Sequence, residues 1–353
     1  MRVSLKDVAE RAGVSIKTVS NVVNNYQHIT PALRSRVQHA IDELGYRPNP
    51  TARHLRKGRT GIIGLALPEL ADPYYAELAG AVVDAAAEHD YTVLLDLTGG
   101  RRRQEAQVGQ GFRARVTDGV ILSPVELRPE DLRNRDDDAP LVLLAERRDD
   151  LPYDAVAIDN VAAARTAVRH LTGLGRRRVA FLGGHTDDAG HPAHLRLRGW
   201  REVLATQGFD APDSLIVPTH GSGRSDGAAA MTRLLDAGEP PDAVLAYNDL
   251  IAIGAMRVLS ERGVRVPEDT AVMGFDDMAE GRFGPVTLTT IAPDKRAIAR
   301  LAIESILTRL ENPDRAAQPP RRGQLRPEYR LMERESTLGK GRAPAGRNEP
   351  ARE

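Results

Sequence analysis

The stretch Leu5–Asn24, LKDVAERAGVSIKTVSNVVN, decides the architecture of the amino-terminal part of this chain. It reads as two short helices joined by a tight turn. Val8, Ala12, Val14, Val19 and Val22 fall where such a pair buries its shared face, and Ala9 is small where the helices cross. Gly13 stands at the turn position that needs a left-handed backbone, which glycine adopts cheaply. Ser4, three residues before Asp7, can cap the first helix, and Ser15 can cap the second. The pattern is that of a DNA-binding helix-turn-helix, with an ordinary pair of packed helices as the alternative.

Outward from that stretch, Thr30-Pro31 carries a cap-then-proline signal for a third helix. Leu33, Val37, Ala40, Ile41 and Leu44 follow at helical spacing, and Gly45 ends the run. Asn49-Pro50 repeats the signal and opens a helix to about Lys57, too short to hold in water alone, so it orders only when something packs on it. From Thr60 strand-like runs (GIIGLAL, TVLLDL, DGVILS, LVLLAE, AVAID, VAFLGG, AVLAYN, AVMGFD, TLTTIA) alternate with helical ones. Such alternation indicates parallel, doubly wound sheets, and its length points to two α/β lobes. The tail 337–353, rich in Gly, Pro, Arg and Glu, is expected to be disordered.

Composition narrows the class. The chain holds no cysteine, which excludes disulfides, thiol chemistry and Cys-ligated zinc. No apolar run is long enough for a membrane helix, and MRVSLKDVAE lacks the apolar core of a signal peptide, so a cytoplasmic protein is expected. The net charge of zero hides an asymmetry: residues 1–59 carry 11 Lys and Arg against 4 Asp and Glu, while residues 60–336 carry 34 against 43. A small basic head on an acidic body suits a phosphate-binding module joined to a core that binds something else.

Together these segments resemble the lactose-repressor/galactose-repressor (LacI/GalR) family of bacterial transcription regulators. The resemblance rests on SLKDVAERAGVSIKTVSNVVN, IDELGYRPNPTARHLRKGRTGIIGLALP, DPYYAEL, DGVIL, RLRGW, AYNDLIAIGAMRVL, VPEDTAVMGFDD and LTTI, in that order from Ser4 onward. It implies an all-α helix-turn-helix head at 1–48, a hinge helix at 49–59, and a two-lobed core at 60–336 like that of periplasmic binding proteins. Lobe 1 is expected to comprise about 60–160 and 291–320, and lobe 2 about 161–290 and 321–335. It further implies a homodimer on a pseudo-palindromic double-stranded DNA operator. A small-molecule effector, a sugar or sugar-like molecule, would bind between the lobes without a cofactor. The helix Leu250–Arg262 is expected to contribute to the dimer interface. The tail lacks an apolar heptad, so no tetramer is expected.

In the second helix Val19 points to the core, with Val22, Val23 and Tyr26 on its side; Lys17 and Asn21 point away and Ile16 flanks them. Recognition helices read bases with their amino-terminal residues, so Ile16, Lys17 and Asn21 are the base-contact candidates. Lys can donate to guanine O6 and N7, Asn can pair both ways with adenine, and Ile can meet a thymine methyl. The family often has Arg where Asn21 stands, which argues for a different half-site. Ser15, Thr18, Thr30, Arg34 and Arg36 are candidates for phosphate contacts, which position the head without reading sequence. By the resemblance Leu55 is a minor-groove wedge, and the unstacking it causes is repaid by added contacts.

The effector-site residues implied by the resemblance are Tyr74, Tyr75, Arg196, Asn248 and Asp276, a set suited to a polyol. Asp accepts from neighbouring hydroxyls, Arg donates in a fork, Asn does both, and a tyrosine face stacks on a ring. Trp200 shares the Arg196 helix face and is either core or ligand contact; Glu146, after PLVLLA, either reaches the cleft or does not. Two other classes remain as alternatives. An α/β enzyme lacks support, because GQGFRA and GLGRRRVAFLGG both fail the strand-then-helix context of a dinucleotide site. A sugar-binding protein without a regulatory role would share the core but not the basic head.

Overall fold

The computed structural model describes residues 3–23, 26, 28–46, 58–111, 116–133, 135, 139–146, 153–183, 191–238, 240–312 and 325–341. Residues 1–61 and 62–353 form two separate compact units. The hinge segment 49–57, with Leu55, lies outside the described residues.

The head is three helices: α1 (Leu5–Ala12), α2 (Ile16–Val23) and α3 (Pro31–Leu44). Ser4 and Asp7 exchange hydrogen bonds at the start of α1, where the Ser4 N–H reaches Asp7 Oδ2 at 2.7 Å. Gly13 ends the helix at a φ of 62°. Ser15 Oγ caps α2 by accepting from the Thr18 N–H at 3.1 Å. Thr30 precedes α3 with its side chain making no cap bond, so Pro31 and the backbone alone start that helix. Val8, Ala9, Ala12, Val19, Val22, Val37, Ala40 and Ile41 form the buried centre. Each buried Val contributes about 1.5–3 kcal/mol, which is what holds so small a unit together. Tyr26 does not join that centre; it is 53% exposed and packs edge-on against His28.

The core carries two sheets. One has the order β2 (Thr92–Leu97), β1 (Ile62–Leu67), β3 (Gly119–Leu122), β4 (Leu141–Leu143), β5 (Asp154–Ala155), all parallel. The other runs β11 (Tyr329–Met332), β10 (Thr289–Pro293), β9 (Ala271–Phe275), β8 (Ala243–Ala246), β6 (Val179–Leu182), β7 (Ile216–Val217). It is parallel except for β11 against β10, a strand that returns from the first lobe. The central strands are buried on both faces, as a doubly wound sheet requires. Helices α4 (Pro73–Ala87) and α5 (Arg102–Gly109) belong to the first lobe; α6 (Asn160–Gly173), α7 (Pro192–Thr206), α8 (Arg224–Asp236) and α9 (Asp249–Glu261) belong to the second.

The chain passes between the lobes three times, and two passages fall later than the resemblance implies. The first comes at Asp159, the N-cap of α6. The second follows Pro293: β10 still belongs to the second sheet, and α10 (Lys295–Glu311) packs Ile298, Ala302 and Ile306 into the first lobe. The third follows Leu325, which still pairs with Val156 of the first lobe, whereas the resemblance placed 321–335 in the second. Hydrophobic runs locate a strand but do not say which sheet accepts it. Residues 337–341 of the expected tail are ordered. Glu335–Leu338 form a short helix, α11, with Ser336 and Thr337 buried.

Candidate functional site

Four of the residues singled out for ligand binding, Tyr74, Tyr75, Arg196 and Asp276, converge between the two lobes. Asp72 caps α4, its Oδ1 accepting from the Tyr74 N–H at 2.9 Å. That cap sets Tyr74 and Tyr75, whose rings meet edge-on at 5.3 Å, half-buried at the carboxyl end of β1. Opposite them, α7 carries Arg196, buried at 7% exposure. Its Nε donates to Asn160 Oδ1 at 3.0 Å and its Nη1 to the Tyr247 carbonyl at 2.5 Å. The guanidinium lies 4.0 Å from the Phe275 ring centre and 5.0 Å from that of Tyr247. Stacked in this way it offers one face and its remaining donors. Asp276 follows β9, with its Oδ1 4.0 Å from Arg196 Nη2.

Asp276 is the unusual group. It is 7% exposed, and no hydrogen-bond donor among the described residues reaches its carboxylate. Burial pushes its carboxyl up, with Arg196 and then Lys295 opposing. Asp72 is pushed up to about 6, chiefly by burial, with the Tyr74 N–H opposing and Asp276 adding to the rise. Burial also raises the phenols of Tyr74, Tyr75 and Tyr247, so all three are neutral donors. Lys295 spans the lobes, donating to Glu77 Oε2 at 2.5 Å and to the Asp276 carbonyl at 2.6 Å. The site can therefore bind a neutral, donor-rich ring.

Not every expected residue stands in this constellation. Asn248 caps α9: its Oδ1 accepts from the Ile251 N–H and its Nδ2 donates to the Ser222 carbonyl, both at 2.9 Å. Its amide is thereby engaged by the protein. Trp200 is fully buried against Phe181, at 6.5 Å between rings, and is core. Glu146 does reach the site, accepting from Asn160 Nδ2 at 3.4 Å. Asn160, Tyr247, Phe275 and Lys295 were missed by the sequence reading. Tyr247 and Phe275 stand inside quoted motifs, but a backbone carbonyl and a ring face used as supports leave no mark in residue type.

In the head, Ile16 is 48% exposed at the start of α2, beside exposed Lys17 and half-buried Asn21. Thr18 Oγ1 lies 2.9 Å from Ser15 Oγ, and Thr30 and Arg36 are exposed. Arg34 Nη2 donates to the Tyr26 carbonyl at 2.9 Å, so part of its fork ties α3 to the link between α2 and α3.

Two family models match: "Bacterial regulatory proteins, lacI family" over residues 4–49 and "Periplasmic binding protein-like domain" over 168–337. The ribose operon repressor of Escherichia coli is 32% identical over 94% of this chain and 99% of its own. The chain belongs to the lacI family. Among solved structures, a putative lacI-family regulator from Sanguibacter keddieii is 46% identical, covering 80% of this chain and 100% of its own, with a TM-score of 0.72. The transcriptional regulator CelR in its cellobiose complex is 31% identical over 95% and 100%, at 0.69. The lac repressor dimer bound to operator and an anti-inducer is 28% identical over 96% and 100%, at 0.74. This lacI-family chain is thus a ligand-responsive, DNA-binding transcription regulator, and its architecture is the helical head and two-lobed parallel α/β core that the resemblance implied.

Proposed function

We propose that this protein is a repressor that binds a pseudo-palindromic operator as a homodimer, with its affinity set by a sugar or sugar-like polyol between the lobes. The observation that carries the ligand reading is the Asp276 carboxylate, buried without a hydrogen-bond donor among the described residues. Such a group is costly unless a bound molecule supplies donors. Neighbouring hydroxyls of a sugar ring do so, while Arg196 donates to a ring or hydroxyl oxygen and Tyr74 or Tyr75 covers a face. Asp72 and Glu146 add acceptors. CelR with cellobiose shows a similar chain holding a sugar. No reaction is assigned: the set holds and orients a ligand, which is what a sensor needs.

For the DNA end, the reading is a head at 1–48 and a hinge at 49–59 that Leu55 would anchor in the minor groove. Ile16, Lys17 and Asn21 read bases. Ser15, Thr18, Thr30, Arg34 and Arg36 position the backbone. A chromosomal DNA partner supports a cytoplasmic location. The dimer surface has support in exposed apolar groups on the outer strand of the first sheet, Leu94, Leu95 and Leu97 at 41%, 43% and 51%, and in Phe283 at 85%. The helix α9, which the family suggests for the interface, packs most of its apolar residues into its own lobe and leaves Ile253 and Met256 half-buried.

The test is a thermal-shift screen of sugars and nucleobases, followed by operator titration with and without each hit. A ligand at a hundred times its Kd adds about 2.7 kcal/mol to stability, well above detection. The expected result is a sugar that shifts both melting and operator affinity, and neither in Asp276→Ala. A ligand response that survives intact in Asp276→Ala removes the cleft from the reading.

A further inference from the structure

Arg334 reaches the candidate site from the far end of the chain, and its backbone is held by its neighbours rather than by its own side chain. Ser336 is fully buried; its Oγ accepts from the Thr289 N–H at 2.8 Å and donates to the Val272 carbonyl at 2.6 Å. Thr337 Oγ1 lies 2.7 Å from Thr289 Oγ1 and 2.9 Å from His170 Nε2. These bonds seat the segment on β9, β10 and α6 without any help from the guanidinium. From that base Arg334 donates to Asp277 Oδ1 at 2.5 Å and to the Leu288 carbonyl at 2.8 Å. The other Asp277 oxygen accepts from Arg282 Nη2 at 2.6 Å.

Asp276 and Asp277 are adjacent and opposite in circumstance. Both carboxylate oxygens of Asp277 are held, while those of Asp276 meet no donor among the described residues. Yet both residues are left-handed, at φ of 106° and 48°. Side-chain-bearing residues keep such angles only where the surroundings over-determine them, and such strain gathers at binding sites. The backbone of the turn is held by the Asp276 N–H on the Ile291 carbonyl at 2.8 Å, by Lys295 on the Asp276 carbonyl and by the Met278 N–H on Asp249 Oδ2 at 2.8 Å. The grip on Asp277 adds the side-chain part of the constraint, one peptide away from the residue that would touch ligand.

We propose that Arg334 is a positioning residue for the effector site: by gripping Asp277 it fixes the left-handed turn that presents Asp276 to the cleft. The proposal rests on the reading of the cleft given above. A purely structural Arg334 would instead serve to pin the carboxyl-terminal segment, a task that Ser336 and Thr337 already perform.

The experiment follows the carboxyl carbon resonance of Asp276 in the full chain, without ligand, through an acid titration, assigned with Asp276→Asn. Asp276 is influenced by Arg196, Lys295 and Glu77, and it acts in turn on Tyr74, Tyr247, Asp72 and Asp249. Release of the turn takes it out of that enclosure. Arg334→Met and Asp277→Asn are expected to move its midpoint down together, toward an ordinary aspartate, and Arg334→Lys to move it less. Ser336→Ala is expected to lower the melting temperature and leave the midpoint where the parent has it. A parental midpoint in Asp277→Asn or in folded Arg334→Met overturns the proposal, as does a Ser336→Ala shift as large as that of Arg334→Met. Should Arg334→Met not fold, Asp277→Asn and Arg334→Lys decide the matter alone. Because the titration uses no sugar, its failure and a failure of the cleft to bind sugar are separate results.

Discussion

Asp72 serves two roles that conflict electrostatically. It caps α4, and it is 7% exposed beside Asp276, with its carboxyl raised to about 6. A raised carboxyl binds its proton more tightly in the folded protein than in the unfolded chain, where aspartate titrates at about pH 4. Stability therefore falls as pH rises from about 4 to about 6 and stays lower above that. The size is on the order of 1–3 kcal/mol. Asn caps a helix as well as Asp does. Asp72→Asn should accordingly unfold at higher denaturant than the parent at about pH 7 and at the same denaturant at about pH 4. An equal gain at both would locate the effect in the cap rather than the charge. At this scale the sequence was informative where a residue type itself does the work. Arg196 and Asp276, which the resemblance picks out in RLRGW and VMGFDD, stand 4.0 Å apart between Nη2 and Oδ1. Asn248 was legible only as an amide; its engagement as a cap depends on where α9 starts, which residue type does not state.

Helices and strands of the core were mostly legible because apolar runs change period from 3.6 to 2 along the chain. The outer strands β7 and β11 were not, since β7 is two residues long and β11 is a half-exposed edge segment carrying an Arg. Close helix crossings were also hidden. A Cβ on Gly254 of α9 would lie 2.0 Å from the Arg224 carbonyl oxygen, and one on Gly227 of α8 would lie 2.2 Å from that of Ile251. These are backbone atoms that cannot rotate away, so Gly254→Ala must separate α8 from α9. The expected loss is about 1–3 kcal/mol or more, as for other overpacked cores. Gly80 on α4 meets nothing within 4 Å, so Gly80→Ala should gain roughly 0.5–1 kcal/mol from helix propensity. Thermal melts of the two variants against the parent check the sign of each; a stabilised Gly254→Ala would refute the packing argument. Within α2, Lys17→Ala or Asn21→Ala should cost about 1–3 kcal/mol on the preferred operator and flatten preference at one base pair per half-site. Arg34→Ala should weaken all sequences alike and lower the salt slope, with an added cost from the lost Tyr26 carbonyl contact. Identical base-preference profiles in Asn21→Ala and the parent would end the assignment of Asn21.

At the scale of the whole molecule, the two compact units are joined by a segment that the sequence marks as a marginal helix, and the reading of function depends on that joint being conditional. A hinge helix that orders only with DNA and a second copy responds to anything that changes the spacing of the two cores. A ligand touching both lobes changes their angle, but it shifts the equilibrium only by its differential affinity for the two angles, typically about 1–3 kcal/mol. Two substitutions should then separate the halves of the mechanism. Leu97→Asp puts a charge on the exposed apolar edge of β2, where a monomer tolerates it and a packed dimer does not. Sedimentation should show monomer, ligand affinity per chain should hold, and operator affinity should fall with the ligand effect on it, because a lone chain engages one half-site and has no twin hinge to pair with. Asp276→Ala should do the reverse, keeping the dimer and full operator binding while losing the response to ligand. If Leu97→Asp remains dimeric with a normal ligand effect, the β2 edge is not the interface. If it becomes monomeric and still shows the full effect, the coupling runs within one chain, and the pairing of hinges is not what the ligand controls.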